Sequence, residues 1–121
     1  MNENILHEFV GAQVRGGFTI VRLETGVAQL IDALGREAIA RTYIVGREFS
    51  ITIRAGLSEE ELSVTIYHEI LEAASVAASD PPASVRNYNE GDFENAAYQA
   101  HEKFGEASRE NVDRMLQFHG F

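Results

Sequence analysis

The order of apolar and polar positions divides the chain into a strand-rich first half and a helical second half. Residues 2–12 carry Ile5, Leu6 and Phe9 on one side of a short helix that Gly16-Gly17 ends. Phe18 to Leu23 (FTIVRL) is rich in β-branched and aromatic residues and predicts a strand. Thr25 is placed to cap a helix in which Val27, Leu30, Ile31 and Leu34 recur at i, i+3, i+4 and i+7, with Gly35 as its break. Two more strands are expected, Thr42 to Val45 and Glu48 to Arg54. In the second, Phe49, Ile51 and Ile53 alternate with Ser50, Thr52 and Arg54, which implies a sheet with one buried and one more polar face. Gly46-Arg47 between them has the length of a tight hairpin.

Helical signals take over after residue 57. Ser58-Glu59-Glu60-Glu61 is a capping box that opens a long helix to about Ser79, where Asp80-Pro81-Pro82 stops it. A polar loop reaches Gly91. Asp92 then caps a helix through Phe104, ended by Gly105, and Ser108 caps a last one carrying Val112, Met115 and Leu116, with Gly120 as its stop. The expected order is (α)βαββααα: an α+β fold, a small mostly antiparallel sheet followed by a motif helix and two further helices. At 121 residues and 45% hydrophobic content, residues 1–121 form a single domain large enough for a core of its own.

Charge narrows the partners. The formal net charge is −9, with 19 acidic against 10 basic residues, and the one lysine is Lys103. A phosphate backbone needs clustered cations to displace its counterions, so nucleic acid is not an expected partner. No window approaches the ~18 apolar residues of a membrane span. The N-terminus MNENILHEFVGAQ lacks the basic and apolar regions of a signal peptide, and the chain has no cysteine. A cytoplasmic protein that meets no membrane is expected.

Candidate chemistry centres on TIYHEILEAA, residues 65–74. His68 and Glu72, four apart on a helix, share a side with an offset of roughly 40°. They flank the apolar stripe of Leu62, Ile66, Ile70 and Ala74. Two side chains do not make a zinc site, which takes at least three protein ligands. On the following helix Phe93, Ala96, Ala97, Ala100 and Phe104 form the expected buried face, and Glu94 and His101 lie along its edge with Tyr98 between them. The preferred set is His68, Glu72 and His101 around Zn2+ or another divalent metal, with Glu94 orienting His101 or acting as the alternate ligand and Tyr98 in support. Zinc lowers the pKa of a bound water toward ~7, and Glu69, beside His68, is the expected general base. Strand 48–54 is expected along the cleft, where an extended peptide can add to its edge. A plainer account competes. HE dipeptides occur three times in a chain with fifteen glutamates, and the His68/Glu72 pair then belongs to a solvated helix edge, worth a few tenths of a kcal/mol.

His68-Glu69-Ile70-Leu71-Glu72 resembles the HExxH helix of zincin metallopeptidases, with glutamate at the second histidine position. Glu94-Asn95-Ala96-Ala97-Tyr98-Gln99-Ala100 is similar to the distal helix of compact ImmA/IrrE-type metallopeptidase domains, whose third ligand is a glutamate in an E-x-x-A-type run. The resemblance covers roughly residues 40–105. It implies a minimal zincin-like fold and a zinc-dependent hydrolase acting on a peptide or protein substrate. Carried over by position, His68 is the first ligand, Glu69 the base, Glu72 the occupant of the second histidine's place and Glu94 the third ligand. That set holds one nitrogen and two oxygens; taking His101 instead restores two histidines and one carboxylate. The alternative is a non-catalytic interaction or structural protein on the same scaffold, with a degenerate metal site.

Overall fold

The computed structural model describes residues 3–27, 30–31 and 37–121. In chain order these form α1 (Glu3–Phe9), β1 (Ala12–Val14), β2 (Phe18–Val27), β3 (Leu30–Ile31), β4 (Glu37–Ala38), β5 (Ala40–Val45), β6 (Glu48–Arg54), α2 (Glu59–Ala77), α3 (Glu90–Phe104) and α4 (Arg109–Phe118). Four strands make the main sheet in the order β1-β2-β6-β5, and β3 pairs with β4 separately. The β1/β2 and β5/β6 pairs are antiparallel, and the central β2/β6 pair is parallel. The architecture is thus α+β with a mostly antiparallel sheet, as the patterning predicts.

Alternation in β6 sets the two faces. Phe49, Ile51 and Ile53 are fully buried, while Ser50, Thr52 and Arg54 lie on the more open side. The buried row joins Phe18, Ile20 and Leu23 of β2 and meets Ile66, Tyr67, Ile70 and Leu71 of α2 and Met115 and Leu116 of α4. Each such aliphatic or aromatic side chain contributes about 1.5–3 kcal/mol by leaving water. Gly46 opens the two-residue β5–β6 turn at φ +62°, the positive φ that a hairpin's first central position favours. The α2 capping box is present, with Ser58 Oγ accepting from the Glu61 amide and Glu61 Oε1 from the Ser58 amide.

Several expectations are corrected. The first helix ends at Phe9, and Ala12–Val14 turns back as β1 against Phe18–Ile20. The segment expected as a helix capped by Thr25 is strand where it is described. β2 runs on to Val27, pairing Thr25 with Ile53 and Val27 with Arg54, and Leu30–Ile31 pairs with Glu37–Ala38. Four apolar positions at helical spacing do not outweigh pairing with β6, which carries β2 to Val27 through a register shift after Thr25. Leu34 and Gly35 lie outside the described residues. The strand 48–54 is not on the cleft edge: β2 and β5 occupy both its sides, and β5 is the edge strand. Finally, α3 is capped by Asn89, with Asp92 at its third position closing the capping box, so the helix begins at Glu90.

No helix among the described residues is long and apolar enough to cross a membrane.

Candidate metal centre

Helices α2 and α3 run antiparallel, because higher-numbered residues of one meet lower-numbered residues of the other. His68 faces Glu90 and Glu94, and Ser63 faces His101. Two i, i+4 pairs therefore oppose each other, His68/Glu72 on α2 and Glu90/Glu94 on α3. The imidazole is only 12% exposed. Its Nδ1 lies 2.5 Å from Glu94 Oε2, and its Nε2 lies 3.2 Å from Glu90 Oε2 and 3.4 Å from Glu72 Oε2. Oε2 of Glu72 is buried, and among the described residues no donor reaches it in good hydrogen-bond geometry, His68 Nε2 standing off at 3.4 Å. Such an atom costs ~1–3 kcal/mol or more unless something compensates it.

Glu69 approaches from the neighbouring side of α2. The Thr42 hydroxyl of β5 donates to its Oε1 at 2.9 Å. His68, Glu69 and Glu72 form a group close enough to hold a metal ion, with one donor atom from each within 4.8 Å of the others.

The charges are tightly linked. Burial pulls the His68 pKa down, but hydrogen bonds to Glu72 and Glu94 and the charges of Glu69 and Glu72 outweigh it and raise it to about 9. Burial pushes Glu69 up against the charge of His68 and the Thr42 hydrogen bond. The His68 hydrogen bond holds Glu72 low despite burial. Glu90 rises to about 7, first because it hydrogen-bonds Glu72 and second through desolvation.

The cluster lines a groove. One hollow of about 510 Å³ is bounded by residues 40–44 of β5 and by Glu69, Glu72, Ala73, Val76 and Glu90. A second, of about 340 Å³, shares Ala40, Glu69 and Glu90 with it and adds His68 and Glu94. Among the described residues the outer edge of β5 has no strand paired to it. Arg54 N–H donates to Ile39 C=O at 2.8 Å, and the register pairs Ala40 with Ile53. Antiparallel hydrogen bonding alternates along a strand, so the main chain of Arg41, Tyr43 and Val45 points to β6, and that of Ala40, Thr42 and Ile44 points away from it.

The structure brings His68, Glu69, Glu72 and Glu94 together and leaves His101 apart. The His101 Nδ1 is 2.8 Å from Ser63 Oγ, which also accepts from the Ala107 amide at 2.8 Å. Ser63 precedes His68 by five residues, ~7.5 Å along the helix axis. Tyr98, next to neither His68 nor His101 in any hydrogen bond, has its side chain partly in solvent at 43% exposure. Glu90 and Thr42 also belong to the site, beyond the residues the sequence singles out. The signal for Glu90 was the Asn89-x-x-Asp92 capping box, which moves the helix start three residues earlier; nothing local marks Thr42.

The donor atoms present, one imidazole nitrogen and several carboxylate oxygens, one of them buried with only a long approach from that nitrogen, suit a divalent cation. They do not supply the two imidazoles of the usual zincin set. Comparison with protein-family models, with curated proteins and with solved structures finds no match for this chain.

Proposed function

We propose that the protein is a divalent-metal-dependent hydrolase whose groove takes an extended polypeptide, with Glu69 as the general base. The observation that carries this reading is the position of His68 and Glu72, with Glu69 beside them, on one wall of a groove whose other wall is a strand edge unpaired among the described residues. A bound divalent cation supplies an acidified water and polarises a carbonyl. The chain's own residues do the rest. Glu94 accepts from Nδ1–H and fixes the His68 ring so that Nε2 faces the groove. Glu69, buried enough for its pKa to rise, is suited to accept a proton, and Thr42 holds one of its oxygens while leaving the other free. Ala40, Thr42 and Ile44 offer main-chain N–H and C=O groups to a substrate strand.

A second reading has its own support. His68 already sits among three carboxylates, a closed ion cluster that needs no catalytic role. In that case the groove binds a protein partner without cleaving it. Metal content and cleavage of an unfolded, quenched-fluorescent polypeptide separate the two. The hydrolase reading expects metal-dependent cleavage in the wild type and, in Glu69→Gln, retained metal with cleavage lost. Stoichiometric metal without any cleavage supports the second reading.

A further inference from the structure

The donor atoms around His68 also narrow the class of ion. Resting on the cation site proposed above, we infer that Glu90 on the first turn of α3 is a donor beside His68 and Glu72, and that the site takes a hard divalent cation of the Mn2+ or Mg2+ type.

The spacing is the first argument. Two donors held ~2.1–2.2 Å from one ion, at roughly 90–110°, stand roughly 3.0–3.6 Å apart. The Nε2 of His68 is 3.2 Å from Glu90 Oε2 and 3.4 Å from Glu72 Oε2. Each oxygen thus already stands at a ligand-to-ligand distance from Nε2. The second argument is the buried Glu72 Oε2, whose approach to His68 Nε2, at 3.4 Å, is too long and poorly aligned for a good hydrogen bond. A cation beside Nε2 gives that oxygen a close partner.

The third argument is composition. Glu94 engages Nδ1, so His68 offers a single nitrogen. His101 is held by Ser63, and His119 is packed against Tyr88 and Phe118 at the end of α4. His68 is therefore the one imidazole in the cluster, set among the carboxylates of Glu72 and Glu90. Oxygen donors suit Mg2+, Ca2+ and Mn2+, whereas imidazole and thiolate favour the later metals. The Asn89 cap makes the arrangement possible: by starting α3 at residue 90 it sets Glu90 one turn before Glu94, on the side facing α2.

Raw affinity rises from Mn2+ to later metals for most N/O sites, so the informative measure is how each affinity depends on Glu90 and His101. Untagged, metal-stripped protein is titrated with Mn2+, followed by electron paramagnetic resonance of the free ion, and with Zn2+ by calorimetry. Glu90→Gln and His101→Ala are run beside the wild type, each first checked for cooperative thermal unfolding. The expected result is one Mn2+ per chain, weakened at least tenfold by Glu90→Gln and unchanged by His101→Ala. Bound Zn2+ that is lost in His101→Ala, or Mn2+ affinity indifferent to Glu90→Gln, overturns the Glu90 assignment while leaving a metal site in place. Absence of binding for both ions overturns the assignment and the hydrolase reading together.

Discussion

The Nδ1 of His68 lies 2.5 Å from Oε2 of Glu94, across the seam between two antiparallel helices. This one contact holds Nδ1 on Glu94 and turns Nε2 toward Glu72, Glu90 and the groove. It also ties an imidazole on α2 to a carboxylate on α3, so the geometry depends on the packing of Phe93, Ala96 and Ala97 against α2.

Glu94→Gln tests that relation. A neutral amide removes a charge that raises the His68 pKa, so the imidazole should titrate clearly below about 9. Nitrogen-15 shifts of the ring, followed across pH in metal-free protein, give the answer. An unchanged titration would assign the raised pKa to Glu72 and Glu69 alone.

Metal-free stability should fall with rising pH in a defined window. The folded pKa of His68 is raised from 6.5 to about 9, so its contribution is complete below pH 6.5 and is lost as the pH passes through about 9. Urea unfolding at pH 6, 7.5 and 9 measures this. In His68→Ala the decline between pH 6.5 and 9 should flatten.

Ser63 should matter to stability alone. It is fully buried and its hydroxyl joins the Ala107 amide to His101. Ser63→Ala leaves a buried N–H without its acceptor and should cost about 1–3 kcal/mol in denaturant unfolding. Metal affinity should stay within error of the wild type.

A pair of prolines tests the free edge of β5. The Ile44 N–H points away from β6, so Ile44→Pro removes no sheet hydrogen bond and should fold, because edge strands tolerate proline at such positions. Tyr43→Pro deletes a bond to β6 and should be less stable by roughly 3 kcal/mol. Ile44→Pro should nevertheless lose binding of an extended peptide, read by fluorescence anisotropy. Unimpaired binding in that variant would remove β5 as the docking edge.

Much of this fold was readable from local signals, and the failures share a cause. Glu48–Arg54 and the Ser58 cap announce themselves through alternation and a capping box, both properties of a few adjacent residues. The pairing of Thr25 with Ile53 and of Ala12 with Ile20 depends on distant partners, and such partners overrule a helical spacing over 27–34 or a three-residue strand too short to carry a pattern. The site divides in the same way. His68, Glu69 and Glu72 share one helix and were visible together. Glu94 and His101 lie on one edge of α3, but the antiparallel seam gives each its own partner on α2, so only Glu94 reaches His68. Register between two helices is a property of their packing.

The claim underlying the whole account is that Nε2 of His68 is a cation ligand. It is tested most directly by the nitrogen-15 spectrum of its ring at pH 7.5 on addition of one equivalent of diamagnetic Zn2+ to metal-free protein. The account predicts that the doubly protonated ring loses its Nε2 proton and shows a metal-bound Nε2, while Nδ1 keeps its proton toward Glu94. A ring that remains doubly protonated and unshifted at saturating ion would contradict it.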